Sequence, residues 1–226
     1  MNFFQKNNAA DLTVHDITAM IRPDTPCWPG KHHVFSHRYA KSTEAGDSVN
    51  VSRLDCSMHL GTHVEAPFHK NGKGKKLKAF PLESFMGNAF VIDLTGVESC
   101  ITLRDIEGVD LAGCDICLLK TRNSELLAAG RLDPDFVHMD EQAATHLAAK
   151  SIRAVGIDSL GMDRVDSDIP LIHNIFLDAD ILVYEALDLR SVSEGKYFFV
   201  GLPLKVEGTE ASPVRAVLID LKEKVE

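Results

Sequence analysis

The sequence predicts an α/β fold, a single domain over residues 1–226 with a mixed β-sheet core flanked by helices. Seven short segments rich in Val, Ile, Leu and Phe recur along the chain, and most of them end at Gly, Asp or Thr. A smaller number of helical patterns lie between them. The segments are nearly continuous in apolar residues instead of alternating, which predicts a sheet covered on both faces.

The predicted strands are Leu12–Ile17, Ala89–Leu94, Ile116–Thr121, Ala154–Asp158, Ile181–Glu185, Tyr197–Leu202 and Val214–Asp220. The clearest helix spans Asp140–Lys150, with Asp140 as its N-cap and Ala-rich turns behind it. Asn123–Ala129 and Pro170–Phe176 read as shorter helices. No internal repeat, low-complexity tract or linker divides the chain.

Composition narrows the function. A hydrophobic fraction of 45% and a charged fraction of 25% are those of an ordinary globular protein. No apolar run approaches the ~20 residues that span a bilayer, and the first residues lack the apolar core of a signal peptide, so a cytoplasmic protein with no membrane partner is expected. A net charge of -9 argues against nucleic acid, whose phosphates need a basic surface. The basic run Lys70, Lys73, Lys75, Lys76 and Lys78 reads first as a solvated loop and second as a basic lip for carboxylate-bearing substrates. Five cysteines in a chain of this size imply no disulfide framework. Cys114 and Cys117 fall at odd spacing on a predicted strand, on opposite faces, and are read as core residues.

The chemistry concentrates in His59-Leu-Gly-Thr-His63-Val-Glu65-Ala-Pro-Phe-His69. Imidazole nitrogens with a carboxylate are a ligand set for catalytic zinc or manganese. In an extended segment the odd-numbered residues share one face, and Gly61 leaves room there for an ion or substrate. Pro67 excludes a long helix. The expected picture is a strand or loop edge presenting His59, His63 and Glu65 to a metal, with His69 placed to move protons. Further donors must come from elsewhere. His173 follows Pro170, where a helix can begin, and Glu185 lies in a strongly apolar run where an unpaired charge is costly. Each alone reads equally well as a structural residue.

The eleven-residue segment resembles the H-x-G-T-H-x-D-x-P-x-H signature of the metal-dependent cyclase-like hydrolases, the family of bacterial kynurenine formamidase and isatin hydrolase. Thr25-Pro-Cys-Trp28-Pro-Gly30, Leu118-Leu-Lys-Thr-Arg-Asn123, Val155-Gly-Ile-Asp-Ser159 and Gly208-Thr-Glu-Ala-Ser-Pro-Val-Arg215 are similar to further segments of that family, so the likeness covers nearly the whole chain. The resemblance implies a swivelling β/β/α cyclase-like fold and one or two Zn2+ per chain, with Mn2+ as the alternative. It implies that His59 and His63 bind one metal, that Glu65 bridges two, that His173 and Glu185 complete the second site, that His69 is the general acid/base and that Trp28 lines the substrate pocket. Three positions depart from the pattern. Glu65 stands for the usual Asp, Lys31 for a common acidic residue, and Glu210-Ala211 for Asp-Gly.

The implied reaction is hydrolysis of an amide-type C–N bond in a small molecule, first an aryl formamide such as N-formylkynurenine. Hydrolysis of a cyclic amide or a lactone, or a metal-binding protein without turnover, are the alternatives. Thr62 and Ser57 are candidate donors that orient the ligands. The family also implies a homo-oligomer, a dimer or tetramer.

Overall fold

A computed structural model describes residues 12–28, 35–131, 133 and 135–221. The Pro29-Gly30 turn and Lys31 singled out in the sequence lie outside the described residues. Thirteen strands and four α-helices follow one another: β1 (Val14–Asp16), β2 (Ser36–Lys41), β3 (Val51–Asp55), β4 (His63–Glu65), β5 (Met86–Asp93), β6 (Cys100–Ile101), α1 (Leu103–Ile106), β7 (Ile116–Lys120), α2 (Asn123–Ala128), β8 (His138–Met139), α3 (Glu141–Ala148), β9 (Ala154–Ile157), α4 (Leu171–Asp178), β10 (Leu182–Glu185), β11 (Gly195–Val200), β12 (Ala211–Pro213) and β13 (Val217–Asp220).

Nine strands form one mixed sheet in the order β1-β13-β11-β5-β7-β9-β10-β4-β12. Its centre, β5-β7-β9-β10, is parallel, and the pairs on either side are antiparallel. The central strands are mostly apolar because both faces are covered, with polar residues such as Asn88, Asp93, Lys120 and Glu185 at or near their ends. Ile92, Cys117, Leu119, Val155, Ile157 and Val183 pack on one side against residues of α1, α3 and α4. Their neighbours Val91, Ile116, Leu118, Ala154, Leu182 and Tyr184 pack on the other side with Ile17, Phe85, Leu187 and Phe199. Period-two side-chain direction thus sends alternate residues of each strand into two separate cores.

All seven predicted strands are present, with ends moved by one to three residues. The starts of β5 and β13 each move by three residues. The sequence predicts Val214–Asp220, but Val214 only bridges Pro203, and the ladder begins at Val217. The Asp140 carboxylate caps α3 by accepting from the Ala143 amide at 2.7 Å, as the sequence predicts. The hairpin β2–β3 was not foreseen, because its residues are exposed throughout and show no apolar alternation.

Cys117 is a core residue as expected, whereas Cys114 lies just before β7 and outside the packed core. Cys117 is fully buried and Cys114 half-buried, both thiols are raised by burial (Cys117 further still by Cys114), and no cysteine among the described residues is in a disulfide.

Candidate metal centre

Strand pairing assembles the site. β4 runs antiparallel to β10, which puts His63 opposite Glu185 and Glu65 opposite Val183. Directly paired residues share a face. That face is the helix-covered one, since Val183 belongs to the core beneath α4. α4 brings His173 down onto it, with Nε2 2.8 Å from Glu185 Oε1.

The chain turns sharply after Glu185. Ala186 sits at φ 52, a left-handed conformation unusual for a residue with a side chain. Three groups hold it there. Its amide donates to the Ser159 carbonyl at 2.7 Å, its carbonyl accepts from Thr62 Oγ1 at 2.5 Å, and Thr62 Oγ1 accepts from the Ala19 amide at 2.8 Å. Thr62 therefore braces the strand ends and touches no imidazole. Ser57 accepts from the backbone amide of His59 at 3.2 Å.

The shared parity of residues 59, 63, 65 and 69 explains only half of their convergence. His63 and Glu65 are on a strand, but His59 lies in the turn before it and His69 ends the 3-10 turn Pro67–His69. Gly61 also plays a different part from the expected one. It has φ +65, and a Cβ there would meet Ile21 Cγ1 at 2.9 Å, so the glycine permits a left-handed turn packed against Ile21 and does not leave space for an ion.

All the named donors meet in one place. His59 Nδ1 is 2.6 Å from Glu65 Oε1 and 3.3 Å from His63 Nε2. His63 Nε2 is 3.4 Å from Glu65 Oε1 and 3.4 Å from Glu185 Oε2. His69 Nε2 is 3.6 Å from Glu65 Oε1, and His173 Nε2 is 3.5 Å from Glu65 Oε2. Two groups have the spacing to hold a metal ion, His59 with Glu65 and His69, and His63 with Glu65 and Glu185. Glu65 belongs to both. Its Oε2 is buried and makes no hydrogen bond among the described residues. A buried carboxylate oxygen left in that state is costly unless a cation meets it.

Electrostatics without an ion follow the same geometry. Burial opposes charge on His63, but Glu65 and Glu185 outweigh it and raise the imidazole. Burial likewise opposes charge on His173, yet Glu185 and Asp163 lift it to about 10. Burial would raise Glu65, and the surrounding imidazoles instead hold it well below the usual carboxylate range. His69 goes the other way: burial is the main cause, and it falls to about 4 despite Glu65.

The centre opens into a cavity of about 660 Å³ lined by Trp28, Leu160, Pro170, Lys70, Arg164 and Glu210 beside the imidazoles. Trp28 packs across Gly161, where a Cβ would meet its ring at 2.5 Å, and edge-on to Phe136 with centroids 6.0 Å apart. Of the basic run, Lys70 alone lines the cavity. Lys75 pairs with Asp180 at 2.5 Å, Lys78 with Glu207 at 2.6 Å, and Lys76 lies over Phe68. A second cavity of about 210 Å³ lies around Arg22, Asp188 and Leu127.

Sequence reasoning missed Asp163. Its carboxylate accepts from His173 Nδ1–H and from the backbone amides of Ile172 at 2.8 Å and His173 at 3.2 Å. An acidic residue ten positions before a histidine at a helix start was the signal available. The partnership of Glu210 with His59, at 3.3 Å, was also unforeseen.

Comparison with known proteins is consistent with this arrangement. The Cyclase family model, described as "Putative cyclase", matches residues 15–164. The chain belongs to the Cyclase family. Among its relatives, a kynurenine formamidase from Salinibacter ruber is 35% identical over 92% of this chain and 98% of its own. A kynurenine formamidase from Bacillus cereus is 34% identical over 90% and 95%. Among solved structures, a predicted metal-dependent hydrolase from Bacillus stearothermophilus superposes with TM-score 0.80 at 35% identity, over 93% of this chain and 99% of that one. Isatin hydrolase A from Ralstonia solanacearum superposes with TM-score 0.80 at 20% identity, over 93% and 92%, and shares the Cyclase fold. The resemblance read from His59–His69 is thereby borne out at the level of family and fold.

Proposed function

We propose that the chain is a metal-dependent amidohydrolase that cleaves an aryl formamide, N-formylkynurenine or a near relative, into an arylamine and formate. The observation that carries this reading is Glu65, a fully buried carboxylate with one oxygen unpartnered, surrounded by four imidazoles and Glu185 beside an aromatic-walled cavity. The 35% identity to kynurenine formamidases over nearly the full length supports the substrate class.

The donors suit zinc, with manganese as the alternative. Zn–N bonds of ~2.0–2.1 Å in a tetrahedron separate ligand atoms by about 3.4 Å; His63 Nε2 is 3.4 Å from both Glu65 Oε1 and Glu185 Oε2, while His59 Nδ1, 2.6 Å from Glu65 Oε1, belongs to the other group. His59, His63, Glu65, His173 and Glu185 would hold one or two ions; His69, which shares the spacing of a donor group with His59 and Glu65, is kept in this reading for the proton. When bound, such an ion lowers the pKa of water and polarises a carbonyl.

The chain's own groups do the rest. Trp28 offers an indole face on which an aryl ring stacks. His69, neutral at pH 7, accepts the proton of the attacking water and returns it to the departing nitrogen, a contribution of roughly 10²–10⁴-fold. Net, one water is added, the C–N bond breaks, and formate and the amine leave. Lys70 at the cavity wall favours a substrate carrying a carboxylate.

A homo-oligomer belongs to the same proposal. Among the described residues the hairpin β2–β3 pairs with no other strand and exposes Tyr39 and Leu54 at 60% each, and an isolated two-stranded hairpin is marginal in water. Sedimentation at a monomer mass would count against it. Cytoplasmic placement is supported by the unpaired cysteines; no helix among the described residues is long and apolar enough to cross a membrane.

The test is elemental analysis of untagged protein paired with hydrolysis of N-formylkynurenine. One or two zinc or manganese ions per chain with turnover is the expected result. Metal without turnover would redirect the substrate to cyclic amides or lactones, and no metal after reconstitution would overturn the mechanism.

A further inference from the structure

Each of three imidazoles in the centre divides its two nitrogens in the same way. His63 points Nε2 at Glu65 and Glu185 and donates Nδ1–H outward to the Gly61 carbonyl at 2.8 Å. His173 points Nε2 at Glu185 and Glu65 and donates Nδ1–H outward to Asp163. His59 points Nδ1 at Glu65 and His63. Its other nitrogen, Nε2, faces Glu210 Oε1 at 3.3 Å. His69 differs, since its side chain makes no hydrogen bond among the described residues and has only the longer approach to Glu65.

An imidazole that gives a lone pair to a cation must carry its proton on the other nitrogen. An acceptor at that nitrogen fixes the tautomer, orients the ring and raises its basicity as a ligand. From this pattern we infer that Glu210 is a positioning residue for His59: it accepts Nε2–H once an ion takes the Nδ1 lone pair, whereas in the metal-free chain Nδ1–H donates to Glu65 Oε1 at 2.6 Å. The inference rests on the metal-centre reading above.

Glu210 is held in place by its backbone. Its carbonyl accepts the Ala66 amide at 2.8 Å, and the next residue, Ala211, pairs with Glu65 across β12 and β4. The carboxylate therefore keeps station beside the strand that carries His63 and Glu65, while its side chain stays one-third exposed. The plain alternative for such a residue is a solvated surface carboxylate. A second alternative is direct contact with substrate, because Glu210 also lines the cavity.

The experiment compares the wild-type chain with Glu210→Ala and Glu210→Gln. It reads Zn2+ affinity by competition with a chromophoric chelator, the His59 Nε2–H in zinc-loaded protein by long-range 1H–15N correlation, and KM and kcat at saturating zinc. The expected result is a loss of zinc affinity of about 10–100-fold in Glu210→Ala, partial recovery in Glu210→Gln because the amide oxygen can still accept, and a His59 Nε2–H that exchanges slowly with water in the wild-type chain and fast in the alanine variant. KM should not move. A raised KM with unchanged zinc affinity would assign Glu210 to substrate and overturn the inference, and three unchanged readouts would return it to the surface. If the wild-type chain binds zinc and only the variants fail to differ, this inference alone is lost. If the wild-type chain binds none, the metal reading falls with it. A circular dichroism melt confirms that the variants fold, and Glu210→Gln, which keeps size and shape, carries the test if Glu210→Ala does not.

Discussion

Asp163→Ala is the substitution whose consequences can be worked furthest from the geometry. The carboxylate receives three donors, the Nδ1–H of His173 and the amides of Ile172 and His173 at 2.8 and 3.2 Å. Two of those amides open α4, where a negative charge also meets the helix dipole, worth ~0.3–1 kcal/mol. Asp163 and His173 are both buried, 6% exposed each, and breaking a buried ionic pair by removing one partner costs about 3–5 kcal/mol. The expected loss of stability is therefore on the order of 4 kcal/mol, with a loss of zinc affinity of about 10–100-fold because His173 is no longer held in one tautomer.

The pH dependence of the same pair has a definite sign. Burial would raise Asp163, but the His173 imidazolium wins and holds it below its usual 3.8. A depressed carboxylate contributes stability that is present above 3.8 and lost as pH falls through the lower folded value. His173 is lifted to about 10, so its share is full below 6.5 and lost as pH rises through about 10. In metal-free protein the wild-type advantage over Asp163→Ala should be a plateau near neutrality that shrinks at both extremes. Urea denaturation across pH, with chelator competition at pH 7, measures both. A loss of less than about 1 kcal/mol together with unchanged zinc affinity would refute the reasoning.

Other perturbations test other parts of the site. Gly161→Ala puts a Cβ 2.5 Å from the Trp28 ring; the indole must move, and KM should rise about tenfold with kcat and metal content little changed in steady-state assays. Gly74→Ala would place a Cβ 2.6 Å from the Pro67 carbonyl carbon, so the turn carrying His69 must shift, and kcat should fall by up to about 10²-fold while elemental analysis finds the metal retained. Asp158 is buried and pushed up to about 6 by burial, against the donors of Thr121 and Ser124. Its contribution is full below 3.8 and fades as pH rises through about 6, costing about 3 kcal/mol, so Asp158→Asn should remove that slope from a pH series of urea midpoints.

The fold was legible because its central strands are apolar on both faces, a pattern that survives small errors at the ends. The donors His63 and Glu65 were legible because they lie on one strand at even spacing. His59 and His69 reached the same point by a route that parity could not give, through the left-handed turn at Gly61 and the 3-10 turn opened by Pro67. Asp163 and Glu210 were harder still. Asp163 lies in the loop before α4 and meets His173 where that helix begins, and Glu210 lies in a loop that the pairing of β4 with β12 brings beside His59. Charged loop residues give no periodic signal by which to distinguish such a partner from a solvated neighbour.

The departure at Glu65 bears on how the centre is tuned. From one fully buried position its Oε1 reaches His59, His63 and His69 at 2.6, 3.4 and 3.6 Å, while its Oε2 faces His173 at 3.5 Å. Oε1 thus reaches imidazoles of both donor groups while Oε2 turns to His173, and the extra methylene does not pull the carboxylate out of the centre. β4 is anchored on both sides, by β10 and by β12, so its backbone cannot follow a shortened side chain. Glu65→Asp withdraws both oxygens by roughly one C–C bond, ~1.5 Å, and should lower metal content or affinity in this chain although the signature it resembles carries aspartate there. Elemental analysis with chelator competition decides it. If Glu65→Asp binds metal as tightly as the wild-type chain and turns over faster, the longer side chain is merely tolerated, and its reach sets nothing in the centre.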